Sequence, residues 1–530
     1  MVDTVVAGTR AFAWNVPETF NFASDVVDHW AKVNDGPCLI WENEAGETRS
    51  YTFSEMSLLT KKLASALAAQ GIRKGDRVLV VMPRIPEWQI AMVAVMRIGA
   101  VPIPGIEMLT ARDVEYRLGN SEAVAMICRG AIASRYEEPT RNLPTRIAVG
   151  DAPDGWLDFY AILDAAEPYE GAAVLQAEEP AIMYYTSGST GHPKGVVHAT
   201  RAIYAWRVSA IYWLDLRPGE IIWCTADTGW AKAGTSILYG PWSVGACAFF
   251  YDGPFVPAKR LELLSRHGVT VYCAPATELN RLVAEDIGAY DLSALRRTVS
   301  AGEAMNPVVA EKWKAATGVD VAEAFGQTEA LMVALNMVGH ELRLGSMGLP
   351  GPGIDLDIVD DQGRRLPSGE EGHIAMLTPN PQLMLGYWKD PERTAACFVT
   401  NGNERWYLTG DRGVRDEDGY LWYRGRTDDM INSAGYRIGP LEVENALLEV
   451  DEVLECAVVG LPDPERGEVV TAFVVLKEGV EGSPAMVERL QNHVKSVTAP
   501  YKYPRQIRFV DSLPKTTTGK IMRRALRPPR

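Results

Sequence analysis

The chain has 530 residues, 47% hydrophobic and 23% charged, which is enough for more than one domain with a sizeable core and excludes a small binding module, wholesale disorder, coiled coil and collagen. Its formal net charge of −15 repels polyanions on average, so no nucleic-acid partner is expected. A small anion such as a nucleotide remains open, because local loops rather than net charge build that kind of site.

The seven cysteines (Cys38, Cys128, Cys224, Cys247, Cys273, Cys397, Cys456) are scattered, odd in number and never spaced as Cys-x-x-Cys. They read as buried free thiols in a reducing compartment. The start, Met1 to Thr4, carries no basic and apolar leader, and Arg84 and Arg97 interrupt the most apolar internal stretch. A cytoplasmic protein without a membrane span is expected.

From Asn21 to about Pro180, helical periods alternate with short β-branched runs. Ser54 to Gln70 reads as a helix, with Ser54 as a cap ahead of Leu58, Leu59, Leu63 and Leu67. Arg77 to Met82 reads as a buried strand and Glu87 to Ile98 as a helix. A second alternating stretch from Ala181 to about His340 includes the strand-like runs Val269–Cys273 and Arg297–Ala301. Between about Leu342 and Gly425, turn signals at Asp361–Gly363 and Asp418–Gly419 separate short strands, as in an antiparallel barrel or sheet. After Arg426 a helix opened by Pro440 precedes strands at Val453–Gly460 and Val469–Leu476, a helix at about Met486–Val497 and a strand at Gln506–Val510. The fold class is α/β. Two layered subdomains (about 20–180 and 181–340) and a β-barrel-like part (341–425) make a large domain, 1–425, followed by a small mobile α+β domain, 426–530.

The strongest local signal is Thr186-Ser187-Gly188-Ser189-Thr190-Gly191-His192-Pro193-Lys194, which follows the apolar run Ala181–Tyr185. Glycines, hydroxyl residues and one lysine offer N–H groups, O–H groups and a cation to phosphate. Because Gly195 rather than Ser or Thr follows Lys194, it is not a Walker A loop.

This loop resembles the phosphate loop of the adenylate-forming superfamily, which contains acyl-CoA synthetases, luciferases and peptide-synthetase adenylation domains. The resemblance continues in order through Phe325–Glu329, Tyr407–Asp411, Gly425–Arg437 and Pro514–Lys520, and the opening Phe20–Trp30 resembles the medium-chain acyl-CoA synthetase branch. It implies ATP, Mg²⁺ and coenzyme A as ligands and a small carboxylic acid as substrate. Oligomeric state is not implied.

By this resemblance Glu323, Ala324, Phe325, Gly326, Gln327 and Thr328 line the adenine and phosphate side, with the Phe325 ring stacking on the base unless it is ordinary core. Glu329 would be a hard oxygen ligand for Mg²⁺ bridging phosphates. Asp411 and Arg426 would orient the ribose, and Arg437 a phosphate. Asp428 would be the hinge of the small domain. Lys520 would reach both the acid and the α-phosphate, since joining two anions calls for a mobile cation. Together Lys194, Arg437 and Lys520 form the catalytic set.

Ala434, Gly435 and Tyr436 resemble the loop lining the pantetheine tunnel, and Lys495 and Lys502 align with positions near the CoA nucleotide, where surface salt bridging is the alternative. Gly326 stands where acetate-activating relatives carry a pocket-closing tryptophan, so its missing side chain is expected to open an acyl cavity. Trp230 resembles a wall of that pocket, or is a core tryptophan.

The implied reaction is the two-step formation of an acyl-CoA through an acyl-adenylate, for a medium-chain, branched or aromatic acid. Loading a carrier protein is the alternative, and a P-loop phosphotransferase or a non-catalytic nucleotide sensor are readings from other classes.

Overall fold

Apolar runs bounded by turn residues assemble two sheets that face one helix layer. The structure is a computed structural model that describes residues 12–186, 193–303, 305–427, 429–433, 436–464, 466–515 and 521–527. Strands Val101–Gly105, Arg77–Val81, Ala125–Arg129, Thr145–Val149 and Leu157–Asp158 lie in that order in a wholly parallel five-stranded sheet. Their near-continuous apolar sequence fits burial on both faces.

Helix Pro86–Arg97 is buried along its whole length, with apolar side chains on every side and only Glu87, Gln89 and Arg97 polar. Its terminal Arg97 survives burial by donating to both oxygens of Asp28, at 2.9 and 2.8 Å, and to Thr60. The preceding helix, Phe53–Ala69, is capped by Thr52 and not by the expected Ser54. Thr52 accepts from the Glu55 amide and the Glu55 side chain accepts in return from Thr52, a capping box.

The second sheet has nine strands. Ile221–Cys224, Cys247–Asp252, Val271–Cys273, Arg297–Ala301 and Val321–Gln327 form its parallel centre, and Leu331–Leu335 and Leu349–Pro350 extend it antiparallel. Its other edge comes from far upstream: Pro37–Asn43 pairs parallel with Cys247–Asp252, and Thr48–Thr52 closes the edge. The subdomain boundary expected near residue 180 is therefore crossed by an N-terminal hairpin.

A three-stranded antiparallel sheet, Gly386–Tyr387, Lys194–Ala199 and Pro180–Thr186, lies beside these two. The region after residue 341 forms the expected antiparallel sheet. Leu356–Val359, Glu371–Thr378, Glu404–Arg415 and Phe398–Asn401 follow in order, and Leu421–Arg426 adds to Glu404–Arg415. Next comes a separate sheet of Tyr436–Ile438, Ile431–Ser433, Gly467–Leu476 and Val453–Asp463, with Gln506–Phe509 parallel to Gly467–Leu476. Helices Pro440–Leu448 and Pro484–Val497 bury Val443, Leu447, Leu490 and Val494 against it, a core of its own. Arg424 donates to Glu442 at 3.0 Å where the two sheets meet. Among the described residues no helix is long and apolar enough to cross a membrane.

Candidate active site

The expected phosphate loop is a hairpin connection. Thr186 ends one strand and Lys194 begins the next, directly opposite it, while Ser187, Gly188, Ser189, Thr190, Gly191 and His192 lie outside the described residues. The Pro193 carbonyl accepts from the Tyr116 hydroxyl at 3.0 Å, which ties the end of the loop to the parallel-sheet layer. The ladder thus sets where the lysine emerges.

Glu329 sits in the turn between Val321–Gln327 and Leu331–Leu335 and is only 7% exposed. The Lys194 ammonium lies 3.6 Å from Glu329 Oε1. Between them stands Tyr387, whose hydroxyl accepts from Lys194 at 3.2 Å and donates to Glu329 at 2.8 Å, while Lys194 also lies 4.4 Å over its ring. Burial, reinforced by the Glu329 charge, raises the Tyr387 hydroxyl well above the usual phenol range, so it remains protonated. Burial likewise raises the nearby Cys397 thiol.

The turn carrying Glu329 is held from three sides. His198 Nε2 donates to the Thr328 carbonyl at 2.7 Å, and burial lowers this imidazole to about 4, so it is neutral at pH 7. Met384 N donates to the Glu329 carbonyl at 2.8 Å. Gln327 is clamped at both ends, donating to the Thr409 carbonyl at 3.1 Å and accepting from the Tyr407 hydroxyl at 2.8 Å. Leu331 closes the turn at φ 54°, a left-handed conformation that costs a bulky residue energy and that these surrounding bonds enforce.

Phe325, Asp411 and Arg426 are brought together as a second group. Asp411 and Arg426 face each other across one antiparallel pair, with Arg426 Nη1 3.5 Å from Asp411 Oδ1, and Tyr423 donates to the same oxygen at 3.2 Å. Phe325 lies 6.2 Å from the Tyr423 ring, tilted by 36°, and is half-buried rather than sealed in the core. Ala324 is buried in the same strand. Glu323 turns its carboxylate to the amides of Met305 (2.9 Å) and Gly345 (3.1 Å), and burial raises it to about 7. It braces the strand.

At Gly326 two strands come close. A Cβ at this position would lie 2.0 Å from the Leu331 carbonyl oxygen and 2.9 Å from Met332 Cα, at the bulge between Phe325 and Gly326. The glycine thus has a backbone reason of its own beside the acyl-pocket role expected of it. Trp230, half-buried, packs at the edge of the cluster formed by Ile103, Ile106, Met126 and Met183.

Of the residues expected to meet CoA, Tyr436, Lys495 and Lys502 are described in the small domain, and each has a partner of its own. Tyr436, 52% exposed, stacks on Tyr501 at 4.3 Å with 19° between the rings. Lys495 lies 4.2 Å over the Tyr503 ring. Lys502 is paired with Glu442, beside a cavity of about 380 Å³ that Arg424 also lines, so its charge is engaged rather than open. Of Arg437 only the backbone is described, opposite Asn432. Asp428, Ala434, Gly435 and Lys520 lie outside the described residues.

Sequence reasoning missed Tyr387, Tyr407, Tyr423 and His198. Beside Tyr387, Gly386 has φ 154° and a would-be Cβ 3.0 Å from Thr394, a fixed backbone position that a lone glycine in the sequence does not reveal.

Residues 27–388 match the model of the AMP-binding enzyme family, and residues 442–520 match that of the AMP-binding enzyme C-terminal domain. The acyl-coenzyme A synthetase ACSM3, mitochondrial, of Homo sapiens is 41% identical over 534 residues, covering 97% of this chain and 90% of that protein. Among solved structures, the anthranilate CoA ligase AuaEII in complex with anthranoyl-AMP superposes with a TM-score of 0.88 at 31% identity, covering 96% and 97% of the two chains. A benzoate CoA ligase from Burkholderia xenovorans LB400 gives 0.85 at 30%, covering 96% and 100%. The chain belongs to the AMP-binding enzyme family. Its branch is that of the acyl-coenzyme A synthetases, with which it aligns over nearly its whole length.

Proposed function

We propose that the chain joins a medium-chain, branched or aromatic carboxylic acid to coenzyme A in two steps, through an acyl-adenylate with release of pyrophosphate and then AMP. The observation that carries this reading is the convergence of Lys194 and Glu329 on Tyr387, which sets one cation and one carboxylate side by side at the end of a glycine- and hydroxyl-rich loop. Names among the relatives support the acid class, since two of them are benzoate and anthranilate CoA ligases. Trp230 supplies an apolar wall on which an acyl group can rest.

In this mechanism Thr186 to Lys194 hold the phosphates, Asp411 and Arg426 orient the sugar and Phe325 borders the base. Lys520 neutralises the approach of carboxylate to α-phosphate. A buried carboxylate held between a hydroxyl and an ammonium suits Mg²⁺, which takes one or two protein carboxylates and otherwise phosphate and water oxygens. When bound, that ion would offset phosphate charge. Rotation of the small domain about Asp428 then brings Ala434, Gly435 and Tyr436 to the CoA thiol. The boundary at Arg426 is supported by the change of sheet between Leu421–Arg426 and Ile431–Ser433. A reducing compartment such as the cytoplasm is proposed from seven cysteines that are all free.

Pyrophosphate release measured across short, medium, branched and aromatic acids with CoA present, and acyl-CoA identified by mass, tests the proposal. The expected outcome is AMP and acyl-CoA with a medium-chain or aromatic acid. Release of ADP, or acylation of a carrier protein without acyl-CoA, overturns it.

A further inference from the structure

The Tyr387 hydroxyl stands between the two opposite charges on which the adenylation chemistry depends. Lys194 Nζ and Glu329 Oε1 are 3.6 Å apart, beyond the roughly 2.7–2.9 Å of a direct charge-assisted hydrogen bond. Each reaches the tyrosine instead, Lys194 donating to it at 3.2 Å and the hydroxyl donating onward to Glu329 at 2.8 Å. Only a group that accepts and donates at one atom can do both, and a phenol O–H is such a group.

The backbone leaves Tyr387 little choice of place. Gly386 and Tyr387 pair with Val197 and Val196 on the strand that begins at Lys194, and Trp388 N donates to the Gly195 carbonyl at 2.7 Å. Upstream, Met384 N holds the Glu329 carbonyl, and the Tyr387 amide donates to Thr394 Oγ1 at 2.9 Å. One short segment is thus stitched to both the lysine strand and the glutamate turn, with Tyr387 as a residue 8% exposed.

We propose that Tyr387 is a positioning residue for adenylation, whose hydroxyl acts as a wedge that keeps the Lys194–Glu329 pair at 3.6 Å from closing into a direct hydrogen-bonded contact. The lysine is thereby left free for phosphate and the carboxylate for a divalent cation. Without the hydroxyl the two charges satisfy each other, and an incoming metal–nucleotide must first part them. This rests on the roles given above to Lys194 and Glu329.

The test uses the full chain, Mn²⁺ as the probe and a non-hydrolysable ATP analogue, with bound metal read by electron paramagnetic resonance in the absence of acid and CoA. Tyr387→Phe keeps the ring and removes only the hydroxyl. It is expected to weaken Mn²⁺–nucleotide binding about tenfold, as for loss of a hydrogen bond to a charged partner, and metal-free nucleotide binding by a smaller factor, since there only Lys194 has to leave the pair. Glu329→Gln is also expected to weaken Mn²⁺ binding, and adding Tyr387→Phe to it should cost less than about twofold more, since no opposed charges remain to be held apart. Wild-type Mn²⁺ binding by Tyr387→Phe, or full additivity in the double variant, overturns the wedge while leaving the reading of the site intact. Wild-type binding by Glu329→Gln overturns that reading and the wedge with it.

Discussion

The two groups of candidate residues are held in place by different means. Around Lys194 and Glu329 the side chains come from strands and turns scattered along the chain, and hydrogen bonds from His198, Met384, Gln327 and the Gly386–Tyr387 strand fix the backbone beneath them. Around Lys502 the contacts are made by side chains at or near the surface, with Tyr436 on Tyr501, Lys495 over Tyr503 and Lys502 against Glu442. A site that must hold charge at a set distance is built on rigid ladders, whereas the proposed CoA site, which would form only once the small domain turns, is carried on adaptable side chains.

The contrast is most exposed at Gly326. If strand approach is its role, Gly326→Ala should lower stability by about 3 kcal/mol, the upper range for forcing atoms into packed space, because the first added atom meets the Leu331 carbonyl. A chemical-denaturation midpoint measures this. An unchanged midpoint together with an altered preference among acids would support the acyl-pocket role and blur the contrast.

His198 gives a smaller, pH-dependent effect. Its imidazole is lowered to about 4 by burial, against 6.5 for an unperturbed group, so between those values the unfolded chain binds a proton that the folded chain refuses. The stability it contributes is complete above about pH 6.5 and is lost as pH falls through 4, by roughly 3 kcal/mol in all. His198→Gln should flatten this part of the melting temperature profile between pH 6.5 and 4. If the wild-type slope persists in the variant, other groups govern the acid limb and His198 is no special brace for the glutamate turn.

Smallest of all should be Lys502→Ala. The Lys502–Glu442 pair is partly solvated, and such pairs contribute about 0–1 kcal/mol, so thermal stability should shift little. The Michaelis constant for CoA is the sharper readout. A rise of several-fold with adenylation unchanged would keep Lys502 near CoA, and no rise would assign it to the salt bridge alone.

What the sequence made legible was local. The loop ending at Lys194, the run Phe325–Glu329 and the acid Asp411 could be picked out because their chemistry lies in consecutive residues, and the alternation of apolar strands with helices was enough for the fold class. Thr52 was also readable, since Thr-Phe-Ser-Glu is a capping-box pattern, but Ser54 stood nearer the apolar period. Tyr387 was not legible, because its role comes from strand pairing with a segment nearly two hundred residues upstream. The backbone role of Gly326 was hidden for a related reason: absence of a side chain reads as open space in one dimension, although here it also marks two backbones in contact.

The hairpin Pro37–Thr52 at the edge of the nine-stranded sheet bears on how the chain is made. Its neighbour, Cys247–Asp252, leaves the ribosome long after it, so the buried face of the early strand waits through the synthesis of some two hundred residues before its partner exists. Pairings of such high sequence separation form late and leave apolar strand edges uncovered meanwhile. The order of synthesis therefore runs against the order of assembly here, and during that interval the nascent chain is at its most vulnerable to capture by other chains and most dependent on chaperones.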